Sequence, residues 1–196
     1  MTFIETIPEA EATGAVGEMY ELDRQLFSDL PNFTQAFSLR PDVYAAWRLL
    51  NTTIKANMDL RRYELATVAA ARRLDSSYCM LAHGSILMDK FLEPDAVRAL
   101  ADDFRTAELE PADLAVMELA DKVAQDATSV TQADVDRLRD LGLTDGEILD
   151  VVVAAAARCF FSKTLDALGA QPDAKYSQLE QELRNTLTVG RPIARE

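Results

Sequence analysis

Ser76-Ser77-Tyr78-Cys79-Met80-Leu81-Ala82-His83 begins twelve residues after Glu64, and the two pieces read together as a helical hairpin. Asp59 is a good N-cap for a helix over about Leu60 to Leu74, with Leu65, Val68, Ala69 and Arg72 spaced along it. Asp75 or Ser76 caps the next helix, which ends near Phe91. Positions i and i+4 share a helix face, so Cys79 and His83 fall together. His83 is the only histidine in 196 residues, and Cys79 is one of two cysteines. An antiparallel return brings Glu64 alongside. A thiol, an imidazole and a carboxylate can then converge, which is the equipment of a reactive cysteine.

Outward from this hairpin the helical grammar continues, and there is almost no strand signal. Alanine, leucine, glutamate and arginine recur at helical spacing, with breakers between the blocks. Ile7-Pro8 is extended. A first helix is expected from about Thr13 to Phe27, a break at Leu30-Pro31-Asn32, and a short helix around Thr34 to Ser38. Pro41 opens a helix to about Asn57, and Pro94 and Pro111 sit where further helices can begin. Thr131-Gln132-Ala133-Asp134 and Thr144-Asp145-Gly146-Glu147 resemble capping boxes, the second closely. The Thr144 helix should run to about Leu168 with Gly169 as its C-cap. One more helix is expected from Ala174 to Leu187, followed by a frayed Arg191–Glu196 tail. The reading is a single all-α domain over 1–196: an N-terminal arm and helices (1–40), the motif helices (41–91), a second helical half (92–171) and a C-terminal tail (172–196). Each half carries an alanine-rich helix followed by an arginine, an echo too short to be a repeat.

Composition excludes several function classes. Lys plus Arg total 20 against 33 Asp plus Glu, a net charge of −13, which repels phosphate backbones and anionic lipids. No nucleic-acid or membrane partner is expected. The longest apolar run, Val151 to Ala157, is far below the roughly 18–20 residues of a membrane span. The start, Met1-Thr2-Phe3-Ile4-Glu5, lacks the basic and apolar regions of a signal peptide. Two cysteines eighty residues apart make no disulfide framework, so a cytoplasmic protein with reduced thiols is expected. One histidine and two distant cysteines are too few soft ligands for zinc, and no Gly-x-Gly-x-x-Gly marks a dinucleotide site. No cofactor is expected.

Cys79 falls near the N3 position of its helix, where unpaired N–H groups and the helix dipole favour an anion. Only the thiolate is a useful nucleophile. His83 can accept the thiol proton, Ser76 can offer a hydroxyl to the sulfur, and Tyr78 adds a phenol. Glu64 can orient the imidazole. The plainer alternative is that Cys79 is a buried small apolar residue and Glu64 a solvated one. Cys159, inside Ala154-Ala155-Ala156-Ala157-Arg158-Cys159-Phe160-Phe161, is assigned to core packing.

At these residues the chain resembles the alkyl hydroperoxidase D-like, carboxymuconolactone decarboxylase superfamily. That pattern is a glutamate, eleven intervening residues, then Cys-x-x-Cys-x-x-x-His. Glu64, Ser76, Cys79 and His83 stand at its four positions without a gap. Arg61-Arg62-Tyr63-Glu64-Leu65-Ala66, Asp166-Ala167-Leu168-Gly169, Ile7-Pro8-Glu9 and Leu30-Pro31-Asn32-Phe33 resemble the peroxidase-related branch, so the resemblance covers nearly the whole chain. It implies a compact all-α fold with the site on a helical hairpin, and homo-oligomers that are dimers, trimers or hexamers. The departure is Ser76 at the first cysteine, which removes the internal resolving thiol. Cys159 can substitute only if its Cα lies within about 7 Å of that of Cys79.

Three functions compete. The first is an antioxidant, one-cysteine peroxidase: Cys79 attacks a hydroperoxide, His83 and Glu64 relay the proton, Ser76 holds the thiolate and Tyr78 lines the binding site. An external thiol or dithiol is the reductant. The second is a non-redox decarboxylase or lactone-acting enzyme using Glu64 and His83. It calls for an arginine facing His83, with Arg61, Arg62, Arg72 and Arg73 nearest in sequence. The third is a small-molecule-binding oligomer without turnover. The single histidine makes any activity change between about pH 5 and 8 traceable to His83 or Cys79.

Overall fold

Alternating helix formers and breakers fold, in a computed structural model that describes residues 2–195, into a bundle that is 73% helical. The described residues form no strand. Met1 and Glu196 lie outside the described residues, as does that end of the expected tail. The helices are α1 (Gly14–Phe27), α2 (Asn32–Ala36), α3 (Pro41–Asn57), α4 (Leu60–Arg73) and α5 (Ser77–Lys90). They continue with α6 (Pro94–Asp103), α7 (Pro111–Asp126), α8 (Gln132–Asp140), α9 (Asp145–Leu168) and α10 (Gln181–Leu187). Short 3-10 turns occupy Glu9–Glu11, Ala127–Ser129 and Ala174–Gln178. Among the described residues no helix is long and apolar enough to cross a membrane.

The helix starts follow local chemistry. Pro41, Pro94 and Pro111 each sit in a first turn, where the missing N–H costs nothing. The Asp59 carboxylate accepts the Arg62 N–H at 3.0 Å. Thr144 and Glu147 form a reciprocal box: Thr144 N–H donates to Glu147 Oε2 (2.8 Å), and Glu147 N–H donates to Thr144 Oγ1 (3.3 Å). Gly169 ends α9 in the left-handed region at φ 77°, and a Cβ there would meet the Phe3 ring at 2.8 Å.

Three expectations are corrected. The short second helix begins at Asn32 rather than Thr34, because Pro31 already supplies its N-cap and its carbonyl accepts the Thr34 N–H. The segment from Ala174 to Leu187 is not one helix. Leu179 is extended at ψ 150°, and the Glu180 carboxylate caps a new start by accepting the Glu182 and Leu183 N–H groups. The tail is pinned rather than frayed over its described part. Arg191 donates to the Asp166 carbonyl (3.0 Å), Ala194 N–H to the Pro172 carbonyl (2.9 Å), and Ile193 packs on the core. At the other end Phe3 N–H donates to the Leu168 carbonyl at 2.7 Å.

The core is built around α4. Every residue from Tyr63 to Ala71 is buried, and a helix apolar nearly all round must be surrounded. It packs against α5, α7 and α9. Ala66, Ala69, Ala70 and Ala71 leave room for those neighbours to approach closely. This places α5 and α9, which come from opposite halves of the chain, beside the same central helix. Glu64 is the one ionisable carboxylate on the buried face of α4, and the site forms around it.

Candidate functional site

Cys79 occupies N3 of α5, with Ser76 as N-cap. The thiol is free and only 2% exposed. Two side chains one turn apart on α9 reach its sulfur. Ser162 Oγ–H donates to Sγ at 3.1 Å, and Arg158 Nη1 lies 3.5 Å from it. Arg158 Nη2 donates to Tyr63 Oη at 3.1 Å, and Tyr63 Oη–H donates to Asn51 Oδ1 at 2.6 Å. The guanidinium carbon lies 5.9 Å from the Trp47 ring centre and 5.7 Å from that of Phe161. These two rings stack at 4.8 Å.

Glu64 and His83 form the second half of the site. His83 Nδ1 and Glu64 Oε2 are 2.5 Å apart. Glu64 is fully buried, whereas 13% of the His83 side chain is exposed. Burial pushes the Glu64 carboxyl up, but His83, Lys55 and Arg158 outweigh it and hold the group below the usual carboxylate range. Burial pushes the His83 imidazole below its ordinary value, the Arg158 charge adds to this, and Glu64 opposes without prevailing. An ionised carboxylate beside a neutral imidazole requires the hydrogen on Nδ1, which leaves the Nε2 lone pair free as an acceptor. Lys55 Nζ stands 3.6 Å from Glu64 Oε1. Among the described residues no group of three or more His, Cys, Asp or Glu could hold a metal ion.

The hairpin sets Glu64 against His83, while the Cys79 sulfur one turn before His83 meets Arg158 and Ser162 of α9. Two other expectations change. Ser76 Oγ makes no hydrogen bond to the sulfur; it is buried without a partner of good geometry, close to Asp166. As N-cap, Ser76 has non-helical dihedrals (φ −92°, ψ 92°), so the i, i+3 neighbour rule does not carry its side chain onto Cys79. Ser162 supplies the hydroxyl instead. The Tyr78 phenol is committed to structure: its Oη–H donates to Asp173 Oδ2 at 2.6 Å and its oxygen accepts the Phe33 N–H at 3.2 Å. Cys159 is half-buried, packs at the rim of the core and forms no disulfide; burial pushes its thiol up.

The arginines near the motif in sequence are engaged elsewhere. Arg61 and Arg62 pair with Asp113, Arg73 with Asp121, and Arg72 donates to the Ala101 carbonyl. The arginine beside Glu64 and His83 is Arg158, which the reading of the motif misses. A signal existed: Arg158 is the one charge within the otherwise apolar run Val151 to Phe161, and a charge held there needs a partner.

No protein-family model matches the chain, and comparison with curated proteins finds no match. Solved structures do match. A peroxidase-related protein with an alkylhydroperoxidase AhpD core, from Ralstonia eutropha JMP134, superposes with a TM-score of 0.81 at 21% identity, over 89% of this chain and 94% of that one. An uncharacterized peroxidase-related protein from Silicibacter sp. TM1040 gives 0.81 at 19% identity, over 90% and 94%. The debrominase Bmp8, in a cysteine-to-alanine variant bound to 2,3,4-tribromopyrrole, gives 0.73 at 16% identity, over 95% and 96%. At such identities the likeness establishes the fold.

Proposed function

We propose that this chain, which has the all-α alkylhydroperoxidase D-like fold, is a thiol-dependent oxidoreductase that reduces hydroperoxides through a single reactive cysteine, Cys79. The observation that carries this reading is a free sulfur at a helix start, contacted by Ser162 and Arg158, on the helix whose His83 meets the buried Glu64 carboxylate at 2.5 Å. His83 Nε2 takes the thiol proton. The thiolate attacks the terminal oxygen of R–O–O–H, an S–O bond forms, and the O–O bond breaks. Sulfur is oxidised to the sulfenic acid, the peroxide is reduced, and the alkoxide takes the proton back from His83 to leave as the alcohol. Ser76 cannot resolve the sulfenic acid, so an external thiol condenses with it, releasing water, and a second thiol releases Cys79 with formation of the external disulfide. Hydroperoxide consumption with a small dithiol donor tests this. Loss of turnover in Cys79→Ser is expected, and undiminished turnover would sink the reading. The proposed setting is cytoplasmic, and copies of the chain are proposed to associate.

Arg158 favours a second reading. A buried arginine beside Glu64 and His83 is what a non-redox enzyme acting on an organic acid needs. That reading expects Cys79→Ala to keep activity and His83→Ala to lose it. The Bmp8 likeness makes halogenated pyrroles a sensible class to include in a substrate screen.

A further inference from the structure

Arg158 is 3% exposed, and a buried guanidinium is costly unless it is paired. Among the described residues no carboxylate lies within ion-pair distance of it. Asp113, Asp121 and Asp23 are taken by other arginines, and Glu64 faces Lys55 and His83. The guanidinium touches the Cys79 sulfur, the nucleophile of the proposed reaction, and Ser162 is a second donor to that sulfur. Among the described residues five buried side-chain polar atoms lack a hydrogen-bond partner, and two of them belong to Arg158 and Glu64. Arg158 Nε–H, buried, has no acceptor, and Glu64 Oε1, buried, has no hydrogen-bond donor. A hydroperoxide offers the complementary set: an ether-like oxygen that accepts and a terminal O–H that donates.

We infer that Arg158 is a catalytic residue of the Cys79 reaction, serving as counter-ion to the thiolate and as Nε–H donor to the leaving oxygen of the hydroperoxide, whose terminal O–H donates a hydrogen bond to Glu64 Oε1 and keeps its hydrogen. The inference rests on the peroxidase reading. It assigns the positive charge to both ends of the step: the sulfur holds the electron pair before attack, and the alkoxide oxygen holds it as the O–O bond breaks. A donor fixed where charge develops costs no reorganisation during reaction. The formal charges also set the substrate class. Arg158 and Lys55 balance the thiolate and Glu64, so the site suits an uncharged alkyl hydroperoxide rather than one that carries a carboxylate. Tyr63, held by Asn51, is a positioning residue, because it fixes the fork of Arg158 without touching the sulfur.

The test follows Cys79 by intact mass through two reactions, oxidation by tert-butyl hydroperoxide and alkylation by iodoacetamide across pH, in wild type, Arg158→Gln, Arg158→Lys and Tyr63→Phe. Arg158→Gln is expected to slow oxidation about 100-fold and to move the alkylation profile to higher pH. Arg158→Lys keeps the charge without the fork, so alkylation should recover while oxidation stays slow. Tyr63→Phe should slow oxidation and leave the alkylation profile in place, a split that a purely structural tyrosine would not give. Folded Arg158→Gln oxidising at the wild-type rate overturns the inference. If that variant does not fold, Arg158→Lys at the wild-type oxidation rate overturns it equally. A wild type that oxidises no faster than a free thiol removes the peroxidase reading and the hydroperoxide contact with it. An Arg158-dependent alkylation profile would then still support the counter-ion assignment.

Discussion

At the scale of single residues, the Glu64–His83 pair has a pH signature whose sign follows from its surroundings. Burial and Arg158 hold the folded imidazole below its ordinary value of 6.5. On acidification the unfolded chain therefore binds the proton first, and stability is present above the ordinary value and lost as pH falls beneath it. Glu64, held below its ordinary 4.5, acts in the same direction at lower pH. Urea midpoints measured from pH 7.5 downward should fall for wild type through the region below about pH 6.5, and His83→Gln should flatten that part of the curve. An equal slope in both proteins would place the sensitivity elsewhere. Peroxide turnover should hold through the start of that decline and fall only at lower pH, where the depressed imidazole of the folded chain takes its proton, since a protonated Nε2 cannot accept the thiol proton. Glu64, Cys79 and His83 were legible because a single hairpin sets their spacing. Arg158 and Ser162 were not, since they reach the sulfur from 79 and 83 residues away through the packing of α9 against α4.

At the scale of elements, local signals placed most helices. Three first-turn prolines, the Asp59 cap, the Thr144 box and the Gly169 stop all act within a few residues and all lie where the pattern puts them. The segment from Ala174 to Leu187 escaped because helix propensity there is continuous, whereas the capping carboxylate of Glu180 interrupts it. The Thr144 box deserves a direct measurement because it starts the helix that carries Arg158 and Ser162. Thr144→Ala should cost about 1 kcal/mol in chemical denaturation. It should leave Cys79 alkylation unchanged, because the cap lies more than three turns before Arg158. A loss near zero would mean that solvent satisfies those N–H groups equally well.

At the scale of the whole molecule, a charge of −13 drives copies apart, so association requires a face free of acid. The outward stripe of α9 runs Leu149, Val153, Ala156 and Phe160. Beside it α3 exposes Leu49 (71%) and Leu50 (47%), with Trp47 against Phe160 at 5.6 Å. If copies associate as proposed, this face is the one covered. Sedimentation should then show an oligomer for wild type and a folded monomer for Leu49→Glu/Phe160→Glu. A monomeric wild type at micromolar concentration would remove homo-association from the account. The segments around Phe3 and Arg191 bear on the same helix. The last-turn carbonyls of α9 would ordinarily be left to water, yet Leu168 receives the Phe3 N–H and Asp166 receives Arg191. Two segments far apart in sequence, around Phe3 and around Arg191, thus meet at one helix terminus, and their opening should be coupled through it. Amide exchange in the final turns of α9 should be slow in the intact chain and should accelerate when either residues 2–5 or residues 190–195 are removed. A small tag or truncation far from Cys79 would then be felt as faster opening of the helix that holds its sulfur.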